Sequence, residues 1–125
     1  MTGKEEATPD EQLPVDIAVM RQMFHDNDTL VSKFALKFIE VADSTLSEMK
    51  LAQTAKDLPA LGRLGHKLKS SARTIGASSF AELCEALEKA GLDNNWNEAE
   101  LLLTKIPSLL DRIIQQFRNE FGEFS

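Results

Sequence analysis

The residues of this chain best suited to chemistry gather around His66, one of two histidines among 125 residues. Gly62 and Gly65 precede it, Ser70 follows it, and Arg63, Lys67, Lys69 and Arg73 are interleaved with them. An α-helix advances about 100° per residue, so on a helix Leu61, Leu64, Leu68, Ala72 and Ile75 share one face and His66 projects about 150° from its middle. The imidazole is therefore expected in water, flanked by small residues at i−4, i−1 and i+4 and by cations at i±3 and i+7. An exposed imidazole with clearance and neighbouring cations suits phosphoryl transfer, which depends mainly on positioning and charge stabilisation. A neutral imidazole nitrogen is nucleophilic near neutral pH. The cations would steady phosphoryl oxygens and match an acidic donor site. Position alone does not separate this from an ordinary surface histidine, the commoner case. Two glycines inside a helix cost roughly 1 kcal/mol each relative to alanine, which either a close helix contact or a partner approaching the backbone would offset.

Other reactive residue types read as structural. His25 follows a short helical segment and is expected as a solvated helix-end residue. Cys84 falls on an apolar helical face and is expected as a small core residue. Glu82, Glu85 and Glu88 line an exposed surface of that helix and are expected as a solvated face. A metal site needs clustered ligands, and here two histidines and one cysteine lie far apart in sequence with no Glu-x-x-His pair. No metal or other cofactor is expected on this chain. Gly-rich phosphate loops and Ser-His-Asp groupings are absent.

The elements that must position His66 read as helices throughout. Residues 1–14 are polar, contain Pro9 and Pro14, and are expected as a flexible tail, leaving 15–125 as one domain. A short helix is expected at about 16–24 and a long one at about 28–54, with a stripe of Val31, Phe34, Ala35, Phe38, Val41, Ala42 and Met49. Leu36 and Ile39 lie off that stripe, to be covered by the first helix or to form an apolar docking patch. The third helix takes Asp57 as its N-cap and stops at Gly76. In the fourth, Ser79 and Glu82 have capping-box spacing, and Phe80, Leu83, Cys84 and Leu87 form its apolar face before Gly91. The fifth, about 97–121, carries Leu103, Ile106, Leu110, Ile113 and Phe117, with Pro107 expected to bend it or remove one hydrogen bond. Short connections make neighbouring helices antiparallel. The fold class expected is all-α: an antiparallel four-helix bundle with an additional short N-terminal helix.

The run His66-Lys67-Leu68-Lys69-Ser70-Ser71-Ala72-Arg73-Thr74-Ile75-Gly76-Ala77, followed by Phe80, Leu83, Cys84, Leu87 and Glu88, resembles the signature of histidine-containing phosphotransfer (HPt) domains. That signature reads approximately H-x-L-K-G-[SA]-[SA]-x-x-[IL]-G-A, then a large apolar residue, then C-x-x-L-E. The resemblance implies a four-helix bundle whose histidine, here His66, takes phosphoryl from a receiver-domain aspartate and passes it to another. It implies no kinase activity, and a metal ion that belongs to the receiver. It also implies that Lys69 lies beside the phosphorylated ring; the small and cationic neighbours Gly62, Arg63, Gly65, Lys67, Ser70 and Arg73 are expected to form the docking surface around it. Ser70 departs from the usual glycine, which bears on docking geometry rather than on chemistry.

Charge and composition fit that reading. The net charge is −6, yet residues 58–81 contain no Asp or Glu and carry four cations, a local basic face on an acidic protein. The overall charge argues against a nucleic-acid binder. No apolar run approaches the roughly 20 residues of a membrane helix, the N-terminus has no signal-peptide pattern, and the single cysteine fits a reducing compartment. A cytoplasmic monomer with receiver-domain partners is expected. The same bundle could also sequester a receiver without chemistry, although such a module would have no need of the histidine.

Overall fold

The computed structural model of the chain describes residues 13–122. They form α1 (Ile17–Met23), α2 (Asp28–Thr54), α3 (Leu58–Thr74), α4 (Ser78–Leu92) and α5 (Trp96–Phe121), with no strand among the described residues. Of the expected tail, only Leu13 and Pro14 lie within them.

Local chemistry fixes the helix ends. Asp16, Asn27, Asp57 and Asn95 each accept a hydrogen bond from a first-turn N–H, satisfying donors that a helix start leaves open. Each such cap contributes on the order of 1 kcal/mol. The capping box expected at Ser79 does not form. α4 starts one residue earlier, at Ser78, and its N-cap is Ala77, with no side-chain cap. The reason is the tightness of the α3–α4 turn. Gly76 N–H bonds to Arg73 O and Ala77 N–H to Ala72 O, a Schellman closure that carries the chain straight into α4. Gly76 takes φ 80°, where a side chain would be strained. His25, Lys56 and Asn94 occupy the same left-handed position after α1, α2 and α4.

Helices α2 to α5 pack in a closed ring, α2 on α3, α3 on α4, α4 on α5 and α5 on α2, while α1 lies against α2. The core contains Phe38, Leu61, Leu68, Phe80, Leu87, Ile106, Ile113 and Phe117. Fully burying such side chains contributes roughly 1.5–3 kcal/mol each. Phe38 and Phe80 meet edge-to-face, with centroids 5.9 Å apart. Leu83 is only half-buried at the core's rim, and Ile39 packs against the core from outside the main stripe of α2. α5 continues as helix through Pro107.

Two buried polar groups are satisfied internally. Thr45 donates to Val41 O at 2.7 Å. Gln116, on α5, accepts from Val15 N–H at 2.9 Å and donates to Val15 O at 2.8 Å, clasping the entry to α1 against the bundle.

Candidate functional site

The closest helix pair is α3 and α4, and glycines set the distance. Gly62 and Gly65 are buried in the seam between them. A Cβ on Gly65 would lie 2.6 Å from the Cys84 carbonyl oxygen, and one on Gly91 would lie 2.9 Å from Gly62 Cα. Gly62 and Gly65 thus bring α3 and α4 together: Gly65 gives its missing side chain to α4, and Gly62 also lines a groove beside His66. The close helix contact offsets their poor helix propensity.

This approach carries α4 carboxylates to the α3 surface. His66 is 64% exposed. Its Nδ1 lies 2.8 Å from Glu88 Oε2, while Lys69 Nζ donates to Glu88 Oε1 at 2.7 Å. Lys69 is 15% exposed, the least accessible charge of the group. The Lys69 hydrogen bond is the main cause that holds the Glu88 carboxyl below the usual carboxylate range; burial opposes it, and the weaker His66 hydrogen bond adds to the lowering. An ionised carboxylate can only accept, so Nδ1 is the donor and carries the ring proton. In the neutral ring the lone pair then resides on Nε2. A lysine, a carboxylate and an imidazole thus form one line of hydrogen bonds that selects the tautomer.

The remaining cations are distributed unevenly. Arg73 pairs with Glu85 at 3.0 Å and Lys67 faces Glu48 at 3.7 Å. The basic face expected from the sequence is therefore largely neutralised by carboxylates from α2 and α4. Arg63 is the one cation of α3 without a carboxylate partner among the described residues. Ser70 is exposed one turn beyond His66. Beside the imidazole runs an open groove of about 490 Å³ lined by Pro59, Gly62, Arg63, His66, Glu88, Gly91 and Leu92. Its outer rim, Leu92, is 82% exposed.

Glu88 is the residue whose role sequence reasoning missed. It ended the quoted signature, yet its spacing from Glu82 and Glu85 made it look like one of three solvated acids. Cys84 is fully buried, and burial pushes its thiol up to about 12, as suits a core residue. His25 is exposed at φ 53°, a helix-ending position remote in sequence from the His66 group.

A family model described as the Hpt domain matches residues 33–120, most of the chain. The chain belongs to the Hpt domain family. This Hpt domain is 30% identical over 95 residues to multistep phosphorelay regulator 1 of Schizosaccharomyces pombe, covering 73% of this chain and 32% of that protein. It thus spans about a third of that relative's length. Its fold superposes on the crystal structure of histidine-containing phosphotransfer protein B from Pseudomonas aeruginosa, with a TM-score of 0.81 over 90% of this chain and 97% of that one. At 19% identity that likeness establishes the architecture, the all-α bundle expected for this Hpt domain.

Proposed function

We propose that this Hpt domain relays phosphoryl groups between receiver-domain aspartates through Nε2 of His66. The observation that carries the proposal is the hydrogen bond between His66 Nδ1 and Glu88, which presents an exposed imidazole with its other nitrogen unprotonated and directed away from the carboxylate.

The transfer balances without moving a proton. Nε2 attacks the phosphorus of an aspartyl phosphate, the P–O bond breaks, and the aspartate leaves as carboxylate. The ring, still protonated at Nδ1, is now a phosphoimidazolium, and Glu88 opposes its new positive charge across 2.8 Å. In the second half an acceptor carboxylate attacks phosphorus, the N–P bond breaks, and its electron pair returns to Nε2. Lys69 keeps Glu88 ionised and adds a positive charge beside the incoming oxygens. The transition state is loose and spreads its charge over the phosphoryl oxygens, so this chain has to position and balance charge rather than supply a base. Any metal ion needed is proposed to reside on the receiver. A monomer acting in the cytoplasm completes the reading; no helix of the described residues is long and apolar enough to cross a membrane.

Sequestration of a receiver without chemistry is the second reading. It would leave the Lys69–Glu88–His66 line without a use. The test is incubation with a panel of phosphorylated receiver domains, with acid-labile, base-stable label expected on the native protein and none on His66→Gln. Because His66 is exposed, that variant should keep its stability within about 0.5 kcal/mol. Label persisting on His66→Gln would mean that another residue accepts the phosphoryl group.

A further inference from the structure

Resting on the relay reading, we infer that Arg63 anchors a docked receiver through an ion pair with the acidic rim of the receiver's phosphorylation pocket. Four cations line the α3 surface, but three already face carboxylates of this chain: Lys69 with Glu88, Arg73 with Glu85, and Lys67 with Glu48. A partner that recruits any of those must first compete with an internal anion. Arg63 has no such competitor among the described residues, so its charge is available at once.

Its position is equally specific. Arg63 lies three residues before His66, one turn away on the same helix surface, and both line the groove that ends at Leu92. A receiver pocket that holds a phosphoaspartate and the carboxylates for a divalent cation is strongly acidic at its mouth. Seating that mouth over the imidazole brings the rim on the groove side against Arg63, while Leu92 and Pro59 offer apolar contact beyond it. The planar guanidinium binds a carboxylate in bidentate fashion and so fixes orientation as well as charge. Arginine is also among the residue types that most often dominate a protein interface.

The experiment is single-turnover transfer from a phosphorylated receiver domain that labels the native protein, followed at increasing receiver concentration for native, Arg63→Glu, Arg63→Lys and Lys67→Gln. The expected result is a half-saturating receiver concentration at least tenfold higher for Arg63→Glu, with a saturating rate within threefold of native. Arg63→Lys should recover most of the affinity, and Lys67→Gln should change it less than threefold. A saturating rate that falls while the half-saturation point stays fixed overturns the inference, because Arg63 then acts on the phosphoryl group itself. Unchanged kinetics for Arg63→Glu also overturns it, and leaves the relay reading intact. If the native protein takes no label at His66 from any receiver, the relay reading falls and this inference falls with it. Circular dichroism and thermal unfolding of each variant separate these outcomes from loss of fold.

Discussion

Gly91 and Gly62 face each other across the α3–α4 seam so closely that a methyl group on Gly91 would stand 2.9 Å from the Gly62 Cα. Everything about the His66 group depends on that approach, because it lets the Glu88 side chain on α4 reach an imidazole on α3.

The seam predicts a graded stability series. Gly65→Ala should be the worst of the alanine changes, since its Cβ would meet a backbone carbonyl at 2.6 Å, with a loss of roughly 1–3 kcal/mol from overpacking. Gly62→Ala, with its nearest contact at 3.3 Å, should cost less than Gly65→Ala. Gly62→Gln, which helix propensity alone would favour, should be destabilising. Denaturant unfolding of the three variants checks the order, and equal stabilities would show that the helices can part cheaply.

Glu88→Gln should slow phosphoryl acceptance at least tenfold, a barrier of about 1.4 kcal/mol. The amide can donate to Nδ1, which would place the ring proton on Nε2 and block the nucleophile. Nitrogen-15 NMR of the His66 ring reports the tautomer directly and should show the Nδ1–H form in the native protein. The pH dependence has a definite sign. The Glu88 carboxyl is held low by Lys69, so its contribution to stability is present above the unfolded carboxyl value of about 4.3 and is lost as pH falls through the lower folded value.

Lys69→Ala should slow transfer more than Lys67→Ala. Lys69 holds Glu88 at 2.7 Å from a largely covered position, whereas Lys67 and Glu48 are both exposed and 3.7 Å apart, a pair worth at most about 1 kcal/mol. Single-turnover kinetics decide the matter. Equal effects would mean that the cations act only by long-range attraction.

Cys84 should resist alkylation in the folded protein at pH 8 and react on unfolding. Its thiol is pushed up to about 12 by burial, while the unfolded value is about 8.5. The sign runs opposite to that of Glu88: stability contributed by the neutral thiol is complete below about pH 8.5 and is lost as pH rises toward the folded value. Rapid labelling of the native protein at pH 8 would contradict the burial of Cys84.

Much of this architecture was legible in residue order. Asp57 and Gly76 bracket α3, and Val31, Ala35, Phe38, Ala42 and Met49 mark the buried stripe of α2, because caps and helical periodicity are local properties. His66 in water followed from the same geometry. What could not be read were relationships between helices. The two glycines left open a helix contact or a partner contact, and only the fold brings Gly91 opposite Gly62. Glu88 looked like Glu82 because the register of α4 against α3 is set by packing, not by spacing along either chain. The capping box failed for a related reason: Gly76 ends α3 so abruptly that Ala77 serves both helices.

The Gln116 clasp on Val15 joins residues 101 positions apart, in a protein whose other elements are built mainly from near neighbours. Closing so long a loop is entropically expensive until both ends are already held in place. The helices can form and pair early, so the buckle between α5 and the entry to α1 should be fastened late in folding and released early in partial opening. The amide of Val15 should accordingly exchange with solvent faster than those of α3 and α4 in hydrogen-exchange measurements. Gln116→Leu should hasten that exchange further while the His66 face, carried by the locally assembled α3–α4 hairpin, stays closed. Slow exchange at Val15, matching the core of α3, would mean that the molecule opens only as a whole.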